Sequence, residues 1–394
     1  MPDTIPVLIV GAGPVGLALA GALCWRGVPC MLIERGDGAI EQPKMDLVGV
    51  RTMEFCRRWG IADWVRDAPY PGDYPQDYVF LTGLNGFELG REPFPGRAFE
   101  ACPPQSPQKR ERVPQDMFDP ILKRFALSFD CVTLQYQTAL VSFLEGPDGV
   151  QATLRDTRTG ATRTLTADYL VGADGGASTV REGAGIGMSG NPALTYTTNV
   201  LFRCADFPAL HRMGKAYRFI FIGPEGTWLT IVAVNGGDRF RMSIVGTPDK
   251  VNHSEADIRS ALGRAMGREF DYEILSVMRW VRRELVADRR ARHEHRHPGC
   301  GRSRLEAGCG AARLGRGGVA GQLRERAAAG GAAQCRGLDR ESWTHALDPR
   351  SQAAAGGFRG HPAGGRDPRR LWGVVHADHA ARMVHERLPS RLSL

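Results

Sequence analysis

The chain of 394 residues is 42% hydrophobic and 24% charged, enough for roughly two to three domains with a large buried core, which excludes a mini-protein, a collagen and a wholly disordered chain. Its formal charge of +8 invites a nucleic-acid reading, but residues 290–394 hold 19 Arg, no Lys and 9 acidic residues, a net of +10, so residues 1–289 carry −2. A near-neutral body is joined to a basic tail, and no nucleic-acid partner is expected.

Residues Ile5 to Trp25 carry no charge. The leader before them is acidic, and Gly11, Gly13, Pro14 and Gly16 interrupt the run, so a membrane span or signal peptide is not expected. Val7-Leu8-Ile9-Val10 reads as a strand buried on both faces of a parallel sheet. Gly11 to Gly16 spells GxGxxG, Leu17 to Trp25 continues as a helix, and Val28 to Ile33 forms a second strand ending in Glu34. The glycines allow a tight turn and close approach of a pyrophosphate to the helix N-terminus, while Glu34 is placed for adenosine ribose hydroxyls. Pro14 and Arg35 join this candidate set. A carboxylate at Glu34 disfavours a 2′-phosphate, so FAD or NAD fits better than NADP.

Strands are expected at Val132–Tyr136, Ala139–Leu144, Val150–Arg155 and Thr164–Val171, with turn sequences at residues 146–149 and 156–160. The last strand runs into Asp174-Gly175-Gly176-Ala177-Ser178-Thr179-Val180-Arg181, a D-G-x-x-S-x-x-R signature. Asp174 could also act simply as an N-cap for the helix that follows. Strands alternate through residues 195–247, as at Tyr217–Ile222, Trp228–Val234 and Phe240–Val245, and Ser254 to Asp257 reads as a capping box opening a helix to about Met266. Phe219, Phe221, Trp228 and Phe240 line either an aromatic pocket or, as the commoner outcome, ordinary sheet core. Nine cysteines, odd in number and without a CxxC pair, suit a reduced cytoplasmic setting better than a disulfide scaffold or a zinc site.

With both motifs in register, the sequence resembles the flavoprotein aromatic hydroxylases, the single-component FAD monooxygenases typified by para-hydroxybenzoate hydroxylase, and within them the phenol and polyketide branches. The resemblance implies an α/β fold: a Rossmann-like FAD-binding domain at 1–75 and 105–185, with an inserted β-sheet substrate domain at 76–104 and 186–285. It places Asp174 and Gly175 beside the FAD pyrophosphate. Pro43-Lys44 and Arg51-Thr52-Met53-Glu54 resemble the family's P-R-A…R-x-M-E segment along the flavin, with Lys44 standing where the family has Arg. Gln115 matches a helix-opening Gln near the isoalloxazine. Each of Lys44, Arg51 and Gln115 could equally sit on a solvated face. The implied activity is hydroxylation of a phenolic or polyketide aromatic: NAD(P)H reduces bound FAD, dioxygen adds at C4a, and the distal oxygen passes to the ring. No residue declares itself the catalytic base; Asp46 lies in the flavin-passing segment, where phenol hydroxylases use a carboxylate. A flavin-dependent reductase and a non-catalytic remnant stay open beside this reading.

The family's third FAD stretch, G-D-A-A-H, is missing from the sequence. In its place comes the tail, where Gly, Ala and Arg make 54 of 105 residues. With synonymous codons freely chosen, His293 to Gly310 read one base later gives M-N-T-G-I-Q-D-A-G-D-L-G-W-K-L-A-A, the family's next helix. The same shift over Gly318 to Gln334 gives a further family-like segment. A frameshift near Arg289 is therefore expected, which makes the His293-x-His295-x-His297 spacing accidental rather than a metal site. The nucleotide sequence around codons 285–335 decides it: if a one-base shift there yields no such peptide, the frameshift reading fails.

Overall fold

The computed structural model describes residues 4–288. The anomalous tail at 290–394, the proposed frameshift and the histidine run all lie outside the described residues.

A six-stranded sheet is built from β1 (Thr4–Val10), β2 (Cys30–Ile33), β5 (Val132–Gln135), β6 (Thr138–Gly146), β7 (Gly149–Asp156) and β8 (Thr162–Gly172), in the order β5-β2-β1-β8-β7-β6. The first four of that order are parallel, and β7 and β6 continue as an antiparallel meander. β1 lies between β2 and β8, so its run of four apolar residues is buried on both faces. Helices α1 (Pro14–Cys24) and α4 (Gln115–Ala126) cover one face, with α2 (Val50–Arg58) and α3 (Ala62–Arg66) beside them. The short α5 (Thr179–Gly183) follows β8.

A seven-stranded sheet has the order β13-β9-β12-β11-β10-β3-β4. Its members are β3 (Tyr78–Leu81), β4 (Glu88–Glu92), β9 (Gly187–Arg203), β10 (Arg218–Gly223), β11 (Gly226–Ala233), β12 (Arg239–Thr247) and β13 (Glu273–Asp288). The first part of β9, residues 187–194, and β13 escaped the expected strands: Gly190, Asn191 and Pro192 interrupt the first, and Arg279, Arg282 and Arg283 stud the second. Helix α6 (Glu255–Met266) covers one face and carries the expected capping box, Ser254 and Asp257 bonding each other's backbone N–H.

That face decides the reading of the aromatics. Phe219, Phe221 and Phe240 are fully buried and pack with Ile258, Leu262 and Met266 of α6, while Trp228 packs at the border of the same core. They are sheet core and do not line a pocket toward the first sheet.

His211 is buried in this core, its ring 5.0 Å from Phe207 and 5.3 Å from Phe219. Nδ1 accepts the Met213 N–H and Nε2 has no partner, so burial pushes the imidazole down to about 4. The folded state therefore binds its proton later than the unfolded chain. The stabilising neutral form is fully present above pH 6.5 and is lost as pH falls toward 4, a loss of about 3 kcal/mol. Urea melts at pH 7 and pH 4.5 isolate this loss as the difference between wild type and His211→Phe, which should lose less between the same two conditions.

One expectation about the cysteines is corrected. Cys24, the last residue of α1, and Cys131, immediately before β5, form a disulfide with Cα atoms 5.8 Å apart. Their 107-residue separation in sequence hid a proximity made by packing α1 beside β5. Cys30, Cys56, Cys102 and Cys204 are free.

Candidate functional site

The carboxyl ends of β1, β2 and β8 converge at one edge of the first sheet, the place where open α/β sheets bind ligands. Gly11 N–H donates to the Ile33 carbonyl at 2.8 Å and Ala173 N–H to the Val10 carbonyl at 2.8 Å, which ties the three strand ends together. Gly11 has φ +102°, and a Cβ there would meet the Ala173 oxygen at 2.6 Å. A Cβ on Gly13 would meet nothing within 4 Å, which leaves room above the turn. Pro14 opens α1, and no side chain caps that end, so its free amide groups and dipole form an anion site. Glu34 accepts N–H bonds from Ala12 at 3.0 Å and Gly36 at 2.9 Å. Each carboxylate oxygen can accept more than one bond, so sugar hydroxyls can be added. An open Gly13, an uncapped helix start and an acid at the end of β2 fit the dinucleotide portion of FAD.

Asp174 reaches the same edge. Its Oδ1 accepts the Ser178 hydroxyl at 2.5 Å and its Oδ2 the Val180 N–H at 3.2 Å. The N-cap of α5 is Ser178, which accepts the Arg181 N–H. Asp174 thus braces the cap and is not itself the cap. Gly175, at φ +82°, turns the chain where a Cβ would meet no neighbour within 4 Å.

The other expected cofactor residues separate. Arg35 is exposed, and its carbonyl takes the Thr157 hydroxyl at 3.1 Å. Arg51 is exposed, paired with Glu54 at 2.6 Å and stacked on Phe55. Lys44 is exposed, but its backbone N–H donates to Gln115 Oε1 at 3.0 Å, and Gln115 N–H donates to the Met45 carbonyl at 2.9 Å. Gln115 thereby fastens the Lys44–Asp46 segment to the start of α4.

That segment delivers Asp46 into a charged cluster beneath the second sheet. Tyr217 donates its hydroxyl to Asp46 Oδ2. Arg112 lies 3.4 Å from Oδ1 and Arg241 3.4 Å from Oδ2, and Arg241 also donates to the Pro43 carbonyl at 3.1 Å. The Arg112 guanidinium stacks 3.6 Å from the Tyr217 ring centroid and donates to Gln76 Oε1 at 2.5 Å. Burial pushes the Asp46 carboxyl up, but Arg112, then Arg241, the Tyr217 hydrogen bond and Arg218 together hold it below the ordinary carboxylate range. Burial, and then the charge of Asp46, push the Tyr217 phenol far above its usual value, so it remains a proton donor. Arg218 and Arg241 share one sheet face by register with Val232, the face opposite α6. None of Arg112, Tyr217, Arg218 and Arg241 carries a motif. The available signal was a charged residue alternating with apolar ones in β12, where Phe240 and Met242 flank Arg241.

A family model described as FAD binding domain matches residues 4–296. The chain is 32% identical over 302 residues to the aklavinone 12-hydroxylase DnrF of Streptomyces peucetius, covering 73% of this chain and 60% of that protein. It is 29% identical over 289 residues to the phenol 2-monooxygenase of Pseudomonas sp. (strain EST1001), covering 70% and 45%. Among solved structures, the rebeccamycin biosynthetic enzyme RebC with reduced flavin matches with TM-score 0.66 and 33% identity over 73% of this chain and 54% of that one. A ternary complex of aklavinone-11 hydroxylase with FAD and aklavinone matches with TM-score 0.63 and 29% identity, covering 73% and 56%. The chain thus spans about half the length of these relatives. Among the described residues no helix is long and apolar enough to cross a membrane, and no cluster of His, Cys, Asp and Glu is grouped to hold a metal.

Proposed function

Since the chain belongs to the FAD binding domain family, we propose that it serves FAD-dependent hydroxylation of a phenolic or polyketide aromatic, with NAD(P)H as reductant and dioxygen as oxygen source. The observation that carries this reading is the Asp46–Tyr217–Arg112–Arg241 cluster, at the face of the second sheet opposite α6. Gly11, Gly13, Pro14 and Gly16 would take the pyrophosphate at the start of α1, Glu34 the ribose, and Gly175 the approach from β8. When bound, FAD supplies the redox chemistry with the nicotinamide and dioxygen.

The rest belongs to the protein. Asp46, kept ionised by its guanidinium partners, accepts a hydrogen bond from a ring hydroxyl and orients it. Tyr217 holds that carboxylate in place, while Arg112 and Arg241 favour negative charge developing on the ring oxygen. The face carrying the half-buried Ile220 and Thr230 and the buried Val232 keeps water from one side of an aromatic substrate.

The sequence lacks G-D-A-A-H, and with it a wall of the family's flavin site, so FAD is expected to be held weakly. Protein purified without added flavin should carry less than one FAD per chain by its absorbance at about 450 nm; a stoichiometric yellow protein would contradict that. With excess FAD, adding phenols should raise NAD(P)H oxidation and oxygen uptake together and yield a hydroxylated product. Product without oxygen uptake points to a reductase, and NAD(P)H oxidation indifferent to every phenol removes the proposal.

A further inference from the structure

Asp119 lies on α4, 7% exposed, and its neighbours offer it little. Oδ2 accepts one hydrogen bond, from Gln115 Nε2 at 3.0 Å, and Oδ1 is buried without a partner. Burial, with Asp116 adding a like charge, pushes the carboxyl up to about 6. A carboxylate so placed works against folding, and an apolar residue of similar size would be more stable there. Its one polar partner gives it a use. A Gln amide can be flipped end for end at little cost, and only one orientation presents Oε1 to the Lys44 N–H. A carboxylate at Asp119 accepts but does not donate, so it selects the orientation with Nε2 toward itself. Oε1 then faces Lys44, and the backbone two residues before Asp46 is fixed.

We infer that Asp119 is a positioning residue: acting through the Gln115 amide, it sets the seat of the Lys44–Asp46 backbone and hence the place of the Asp46 carboxylate under the second sheet. The chain runs Asp119 Oδ2, Gln115 Nε2, Gln115 Oε1, Lys44 N–H, each link 3.0 Å. The second tie, Gln115 N–H to the Met45 carbonyl at 2.9 Å, comes from the backbone and stays when side chains change. Side-chain substitutions therefore loosen the segment without releasing it. The consequence for catalysis rests on the hydroxylase reading; the positioning does not.

Hydrogen exchange of the full chain, followed by mass spectrometry on peptides spanning 42–48, tests the inference without flavin or substrate. Asp119→Leu should speed exchange there by about tenfold, the change expected on losing one hydrogen bond, and peptides from α6 should not change. Asp119→Asn retains an acceptor oxygen and should restore most of the protection. In a Gln115→Leu background, Asp119→Leu should add nothing, because the link it acts through is gone. Unchanged exchange at 42–48 in Asp119→Leu overturns the inference, as does full additivity in the double variant. If the leucine variant does not fold, the asparagine variant set against Gln115→Leu still decides: protection lost equally in both also overturns it. A wild-type chain that hydroxylates nothing would remove the proposed function and leave these exchange results standing.

Discussion

Replacing Asp46 with alanine is expected to destabilise the chain by about 3 kcal/mol, read as a lower urea midpoint at unchanged slope. Arg112 is 6% exposed and Arg241 15%, and both lie 3.4 Å from the carboxylate. Removing the single acid leaves these guanidiniums facing each other across a space that water only partly enters. The burial of two like charges, rather than the strength of one ion pair, sets the size of the loss. Asp46→Asn leaves the same two guanidiniums uncompensated and should lose nearly as much, recovering only about 1 kcal/mol because its carbonyl oxygen still accepts the Tyr217 hydroxyl. An exposed pair supplies the contrast: Glu255 and Arg259, 68% and 56% exposed, sit in solvent, and Glu255→Ala should cost less than about 1 kcal/mol, from the pair and the first turn of α6 together. Equal effects at the two sites would mean that the cluster is as wet as the surface, and the proposed charge environment for a ring oxygen would go with it.

The nucleotide-binding edge was legible because its chemistry is local. An apolar strand, three glycines, a helix start and an acid at the next strand end fall within Val7 to Glu34, and each has a backbone reason for its position. The capping box at Ser254 is local in the same way. The Asp46 cluster was legible in one member only. Tyr217 lies 171 residues from Asp46 and Arg241 lies 195 away, and pairing between them is made by docking one sheet on another, which leaves no spacing to find. The aromatics show the same limit. Alternation puts Phe219 and Phe221 on one face of β10, but only the position of α6 says that this face is core. The cofactor contacts expected at Arg51 and Gln115 came from matching segments, and the two differ in fold: Arg51 turns to Glu54, whereas Gln115 joins α4 to the segment that carries Asp46.

Gly16→Ala is expected to destabilise the chain by about 3 kcal/mol, although alanine is the better helix former. Gly16 lies in the first turn of α1, where exchanging glycine for alanine ordinarily gains up to about 1 kcal/mol. A Cβ at this place would stand 1.9 Å from the Gly11 carbonyl oxygen and 3.2 Å from Leu32 Cδ1. The oxygen cannot withdraw. It belongs to a residue at φ +102° with no room even for a Cβ beside Ala173 and Asp174, and the Ala173 N–H bond to the Val10 carbonyl ties this turn to the end of β8, so a shift is passed there. Relief requires separating α1 from the β1 turn, and that opens the phosphate-binding edge along with the core. Gly263, inside α6, supplies the opposite case, since a Cβ there meets nothing within 4 Å. Gly263→Ala should stabilise by about 0.5–1 kcal/mol. Paired urea melts therefore test a difference in sign: alanine must harm α1 and help α6. If both substitutions moved the midpoint upward, the close approach of helix to turn at Gly11 would be wrong, and the phosphate cradle built on it would fall too.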